Sequence, residues 1–414
     1  MKNKILQNAF YLYLFTIVKM IVPLATLPYL TRVLSVENYG LVAYVKAYAS
    51  YVLLFLDFGF LLYSTKRISK LDINNSFEMN EISKIIGDTF IEKILLAFLI
   101  VLLSAIIIPI IPILDSNKLF TILFIISCLI TVFLPDFFYQ GIEDMKYIVI
   151  PFSIAKAVTV CLTLFLVKSD NNILFIPIFE MIGNILSVII SLLFLKKFII
   201  SVQISNIHRW LDDLKRSSIY FISNFATTFF GALTTIIVGV NLDKTDIAFW
   251  SLAMQVVSII KAMYTPITNS IYPFMVREKS ISLLNKVRNR ITLPIIFGII
   301  IIFIFGEKIF IILGGNNYSS SAKILEYLTP VIFFSFYSML YGWPALGVIG
   351  KVKATTISTI LAAIVQIIGV FILIITDKFN LVSLAINCSL SEFLLFIIRY
   401  YVFIDYYRKN GGIK

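Results

Sequence analysis

Apolar runs of about twenty residues recur along this chain, and they restrict what it can fold into. A helix that crosses a hydrocarbon core of about 30 Å needs roughly 20 predominantly apolar residues. Stretches near 5–30, 39–65, 87–113, 119–139, 148–167, 173–195, 217–241, 247–274, 291–313, 324–349, 354–376 and 379–404 meet that length. In lipid each backbone donor and acceptor must be satisfied within the protein, which makes such runs helices. The sequence therefore predicts an all-α, polytopic membrane protein with about twelve transmembrane helices. Composition agrees: 59% of the 414 residues are hydrophobic and 14% are charged, whereas soluble domains carry about 25% charged residues.

Several function classes drop out. The three cysteines, Cys128, Cys161 and Cys388, lie in apolar runs without metal-ligand spacing, and the single histidine, His208, stands in a polar connector. No metal site and no disulfide framework is expected. The net charge of +12 reflects basic residues flanking membrane helices rather than a nucleic-acid partner. Gly314-Gly315 lacks the Lys-Ser or Lys-Thr that follows in a phosphate loop, so no nucleotide site is expected there.

Basic residues alternate between two sets of connectors. One set holds Lys66, Arg67, Lys70, Lys84, Lys93, Lys196, Lys197, Arg209, Lys215 and Arg216, among others; the opposite set holds only Arg32, Lys118, Lys168, Lys244, Lys308, Lys323 and Lys378. The positive-inside rule places the richer set, and with it both termini, in the cytoplasm. Connectors on the opposite side are too short to hold a folded domain. Ile82, Ile85 and Ile86, then Ile207, Trp210, Leu211 and Leu214, then Ile281, Leu284 and Val287 follow helical spacing in the inner connectors. These amphipathic segments either lie on the inner leaflet or pack on the bundle. SVENYGLVAY (35–44) and KTDIAFWSLA (244–253) both place an acid just before an aromatic that opens a helix. Two six-helix halves are expected, 1–204 with helices 1–6 and 205–414 with helices 7–12, a transporter-like plan.

The charges inside the spans carry the functional reading. Residues 39–60, YGLVAYVKAYASYVLLFLDFGF, contain Lys46 and Asp57. A lysine at the centre of a membrane helix costs about 2.5–3.5 kcal/mol on the insertion scale. Lys19, Lys156 and Lys261 lie near the middles of other spans, as do the acids Glu180 and Glu392. At 100° per residue Tyr39, Lys46, Ser50, Asp57 and Ser64 fall within about 40° of one another, a polar stripe along the second helix. Asn8, Lys19 and Thr26 align similarly, as do Lys261, Thr265, Thr268 and Tyr272. Lys46 and Asp57 stand about 16 Å apart along the axis, so each needs another partner. Inter-helical ion pairs would explain any one of these residues. For the set, an excess of cations at mid-depth favours a wet, cationic lumen suited to an anionic passenger. Arg399, near the inner end of the last span, is expected to snorkel. Pro23, Pro28, Pro266, Pro273, Pro330 and Pro344 interrupt helices 1, 8 and 10, where bends serve either packing or rocking between states.

Three motifs are similar to those of a known family. PLATLPYLTRVLSVENYGL (23–41), through Pro23, Pro28, Tyr29, Arg32, Leu34, Tyr39 and Gly40, resembles the start of Wzx-type O-antigen flippases of the multidrug/oligosaccharidyl-lipid/polysaccharide (MOP) exporter superfamily. DFGF (57–60) followed by STKRIS (64–69) resembles that family's second helix, and YQGIEDMKYI (139–148) its helix 4–5 connector. The chain departs from the family pattern at Asp136-Phe137, where an aromatic, often Trp, is usual. The resemblance implies a MATE-like bundle of two pseudo-symmetric six-helix lobes around a central cavity. It implies a transporter rather than an enzyme: a flippase moving undecaprenyl-diphosphate-linked oligosaccharide repeat units across the bacterial inner membrane for O-antigen, lipopolysaccharide or other surface polysaccharide biosynthesis. Lys19, Lys46, Lys156 and Lys261 would then hold the anionic head, and Asp57, Glu180 and Glu392 would couple transport to a proton or sodium gradient. No cofactor is expected. Expected partners are the lipid-linked substrate, membrane lipids, and a polysaccharide polymerase with its chain-length regulator. The alternatives are a MATE-type multidrug exporter, which calls for an acidic lumen, and a polytopic glycan polymerase, which calls for a sizeable outer loop.

Overall fold

A computed structural model describes residues 2–73, 75–198, 202–228, 232–278 and 281–409. Among the described residues all regular structure is helical. The helices are α1 (Lys2–Val33), α2 (Val36–Asp57), α3 (Phe60–Ile68), α4 (Ser76–Ile110), α5 (Pro112–Asp115), α6 (Lys118–Ile130), α7 (Asp136–Gly141), α8 (Lys146–Leu166), α9 (Phe175–Leu195), α10 (Ile207–Thr228), α11 (Thr234–Asn241), α12 (Lys244–Glu278), α13 (Ile281–Gly314), α14 (Ser320–Leu340), α15 (Val352–Ile375) and α16 (Leu381–Lys409). Ten helical stretches among the described residues are long and apolar enough to cross a bilayer, and Lys118–Phe133 is a shorter apolar helix. With the expected span 217–241, which includes residues 229–231 outside the described set, they correspond to the twelve runs read from sequence. Phe98, Ile106, Ile110, Leu293, Phe297 and Ile304 are exposed. Apolar side chains turned outward on long apolar helices are what lipid solvates.

Contacts divide the chain into Met1–Thr228 and Phe229–Lys414. α10 belongs to the first of these units because it packs on α2, α3 and α4. The reason is electrostatic. Arg209 on α10 meets Glu81 at 2.6 Å and the fully buried Asp88 at 3.0 Å. Trp210 Nε1 donates to Asp88 at 3.0 Å, and the backbone N–H of Ser205 donates to the same oxygen at 2.7 Å. Asp213 pairs with Arg67 and accepts from Tyr63 Oη at 2.8 Å. The helix turns its polar side inward, with Asp213 and Ser217 buried, and leaves Ile207, Leu211, Ile219 and Ile222 exposed. The other amphipathic connectors are the first turns of long helices: Ile82, Ile85 and Ile86 are buried at the start of α4 against Phe137, Phe138 and Tyr139, and Leu284 is buried near the start of α13. Packing on the bundle, the second of the two readings, holds for these residues.

The second expected span is broken in two. Phe58 and Gly59 both take left-handed backbone conformations, with φ of 42° and 80°, and end α2. Asp57 then accepts a hydrogen bond from the N–H of Leu61 at 3.1 Å, satisfying one donor that the start of α3 leaves open. Gly59 is required twice over: its φ suits glycine, and a Cβ there would stand 2.6 Å from the carbonyl oxygen of Ser217. The DFGF motif is thus a helix break seated on α10, where Phe58 stacks on Phe221 at 4.6 Å. The break also rotates α3 out of phase. Ser64, expected on the Lys46 stripe, is buried and bonded to Thr89 at 3.0 Å instead.

In Phe229–Lys414 the prominent irregularity is the π-helical segment Tyr341–Gly347 after α14, with a non-helical backbone at Gly342. Of the expected proline bends, Pro344 falls in this segment.

Gly59→Ala should destabilise the folded protein by about 1–3 kcal/mol. Gly298→Ala, where nothing lies within 4 Å of an added Cβ, should be neutral or slightly stabilising. Thermal unfolding of the two purified variants, followed by fluorescence-detected gel filtration, checks the contrast.

Candidate functional site: a charged cavity in the N-terminal unit

A cavity of about 570 Å³ lies within Met1–Thr228. Its charged lining comes from Lys19 on α1, Lys46 and Asp57 on α2, Lys93 on α4, Asp136 at the start of α7, Lys156 on α8 and Glu180 on α9. Helical period brings α2's contribution to one side: Lys46, Ala49, Ser50, Leu53, Leu56 and Asp57 line the cavity, while Tyr44, Val45 and Leu54 are buried away from it. The surrounding walls are apolar, with Phe15, Phe124, Phe152 and Val132 among them. Charges in such a place interact more strongly than in water.

The charges form two groups. Near the middle of α2, Lys156 Nζ lies 2.6 Å from Glu180 Oε2. Lys46 interacts electrostatically with both residues but forms no ion pair of its own among the described residues, and its side chain is exposed to the cavity. This group holds two ammonium ions and one carboxylate. In the other group Asp136 interacts with Lys19, Lys93 and Asp57, two cations against two carboxylates. The Lys19 ammonium also sits 4.1 Å from the centre of the Phe15 ring, a cation–π contact that stabilises charge away from bulk water. Asn184, one turn after Glu180, donates to the carbonyl and hydroxyl oxygens of Ser127 at 2.9 and 3.0 Å and fixes α9 against α6.

Five residues singled out in the sequence, Lys19, Lys46, Lys156, Asp57 and Glu180, are thus brought together. Lys261 and Glu392 are not part of that lining. They belong to Phe229–Lys414 and pair with each other at 3.1 Å. Glu392 also accepts from Ser338 Oγ at 2.7 Å. Arg399, expected to snorkel, does not. Its guanidinium donates to the Ser338 carbonyl at 2.6 Å, to Ser358 Oγ at 3.0 Å and to Thr359 Oγ1 at 2.9 Å, bracing α14, α15 and α16 beside the Gly342 kink. The helix-1 stripe holds only in part. Asn8 binds the connector through the Glu143 carbonyl and the Met145 N–H, and Thr26 bonds back to its own helix.

Lys93 and Asp136 were not singled out from sequence. Lys93 reads as a connector cation because it lies near the start of the expected span 87–113. In the structure α4 begins at Ser76, which places Lys93 well inside a helix. Asp136 did give a signal, as the departure from the family's aromatic before YQG, and in the structure it is the carboxylate that faces Lys19 and Lys93.

A bundle of apolar-faced helices around a charged, water-accessible cavity defines a polytopic membrane transporter. The chain belongs to the polysaccharide biosynthesis protein family, which matches residues 5–279. It is 28% identical over 380 residues to a "Putative O-antigen transporter" of Shigella dysenteriae, covering 89% of this chain and 92% of that protein. It is 23% identical over 407 residues to a protein of the same description from Escherichia coli K12, covering 95% of each. In fold it is similar to the lipid II flippase MurJ in an inward closed conformation, with a TM-score of 0.71 at 13% identity, covering 96% of this chain and 87% of that one. It is also similar to an inward-facing MATE family transporter of the MOP superfamily, with a TM-score of 0.65 at 13% identity, covering 95% and 100%. Family and fold agree with the Wzx-type, MOP-superfamily resemblance of the sequence motifs.

Arg399→Leu should destabilise the C-terminal unit by about 2–4 kcal/mol, since it strips donors from several buried acceptors at once. Arg399→Lys should recover only part of the loss, because one ammonium cannot reproduce the guanidinium fork. Melting temperatures of the two purified variants check the order.

Proposed function

We propose that this chain is a flippase that carries oligosaccharide repeat units linked to undecaprenyl diphosphate from the cytoplasmic to the periplasmic leaflet of the bacterial inner membrane. It supplies O-antigen or another surface polysaccharide. The observation that carries this reading is the cavity in which Lys46, without an ion pair among the described residues, stands beside Lys156 and Glu180. A diphosphate does not cross hydrocarbon unaided, and ammonium groups in a water-accessible, apolar-walled pocket offer it charge-assisted hydrogen bonds. The prenyl tail stays in lipid. Lys19, Lys46 and Lys156 receive the anionic head, and Lys261, paired with Glu392, serves the ion network of the C-terminal half. Transport proceeds by alternating access, with both termini in the cytoplasm and two six-helix repeats that divide after residue 204. A proton or sodium gradient drives it, with Asp57, Glu180 and Glu392 as the carboxylates that exchange the ion. A polysaccharide polymerase and its chain-length regulator take the product. The names of the two O-antigen transporter relatives support the polysaccharide passenger over a cationic drug, as does the cationic bias of the Lys46 group.

Lys46→Ala should lower surface polysaccharide by about tenfold or more, the scale of losing one close charge contact, while the protein stays in the membrane at normal abundance. Full polymer in that variant removes the cationic-cavity reading. Translocation into sealed vesicles should stop when proton and sodium gradients are both collapsed; transport that persists removes the three carboxylates as couplers.

A further inference from the structure

We infer that Glu180 is a built-in competitor for the passenger's anionic group, and that Lys46 and Lys156 together form the subsite this group occupies. The inference rests on the flippase reading and narrows its site. Three observations carry it. The seven charged residues of the cavity are unevenly distributed: Lys19 and Lys93 face as many carboxylates, Asp57 and Asp136, whereas Lys46 and Lys156 face Glu180 alone. An excess positive charge therefore resides at one end. At that end the Lys156–Glu180 pair, at 2.6 Å, is about one-fifth to one-quarter exposed, so an incoming anion can reach it. The helix that carries Glu180 is anchored, because Asn184 on the next turn of α9 is held to Ser127 on α6. The backbone beneath the carboxylate thus stays within reach of Lys156 after the ammonium leaves.

A phosphate or diphosphate carries more charge than a carboxylate and has oxygens enough to bridge two ammonium ions. It takes Lys156 from Glu180 and joins it to Lys46. With the passenger gone, Glu180 recaptures Lys156. Competition of this kind weakens binding and speeds release, which a carrier needs: an uncontested pair of lysines would hold a diphosphate too long to turn over. The far end, charge-balanced and rich in both donors and acceptors, suits the uncharged hydroxyls of the attached sugar.

The test uses the purified full-length chain and inorganic pyrophosphate, by titration calorimetry. Glu180→Gln should bind pyrophosphate about fivefold or more tightly than the wild type, within the usual range of coupling between sites, and should flip lipid-linked substrate more slowly. Glu180→Ala should change affinity in the same direction, so a folding defect in one variant does not decide the matter. Lys46→Ala and Lys156→Ala should each lose most of the binding. If the lysine variants lose binding while neither Glu180 variant gains it, the competitor role is wrong and the cationic-cavity reading stands. If wild type and lysine variants bind pyrophosphate equally, or not at all, the subsite and the reading beneath it both fail.

Discussion

An ammonium group inside a hydrocarbon-spanning bundle must find water, a carboxylate or an aromatic face, and this chain uses all three. Lys46 faces the cavity. Lys156 and Lys261 each pair with an acid on a neighbouring helix, Glu180 and Glu392. Lys19 adds the Phe15 ring to the field of Asp136. An isolated lysine at mid-depth opposes insertion by a few kcal/mol, and the pairs alone would only offset that. What pairing does not explain is Lys46, whose neighbours Val45 and Ala47 are buried while its own side chain opens into a cavity with two other charged groups close by. The cavity is where that residue finds room for its charge.

The helix break at Phe58-Gly59 connects this site to the rest of the N-terminal unit. It terminates α2 at Asp57, so the same carboxylate lines the cavity and accepts from the first turn of α3. It places α3 where Arg67 and Tyr63 reach Asp213 on α10. α7 packs against α3 so closely that a Cβ on Gly141 would lie 2.7 Å from the Ile68 side chain. The two sequence motifs DFGF and YQG are therefore parts of one construction. A change in the α2–α3 angle would move Asp57 in the cavity and the ion cluster on α10 together.

The placement of the long apolar helices among the described residues was legible in the sequence because lipid enforces a length rule on each apolar run. Lys46, Lys156 and Glu180 were legible for a related reason: a charge in such a run is costly enough to signal a partner. Long helices hid Lys93, since α4 extends from connector into span without a break in pattern. Arg399 was misread because snorkelling and internal bracing look alike at a helix end; only the acceptors on α14 and α15 separate them. Phase along α2 failed at Ser64 because a periodicity argument assumes an unbroken helix. The side taken by α10 was hidden as well, since its inward face is the polar one, held by Arg67, Glu81 and Asp88.

Solvent access at Lys46 tests the account most directly. In a background with Cys128, Cys161 and Cys388 replaced, Lys46→Cys and Ile106→Cys are treated in vesicles with a charged, water-soluble thiol reagent. Rapid modification at position 46, slowed by added pyrophosphate, with no modification at the outward-facing position 106, is the predicted result. A position 46 as unreactive as position 106 would contradict it, for the lysine would then have no water-filled passage to serve.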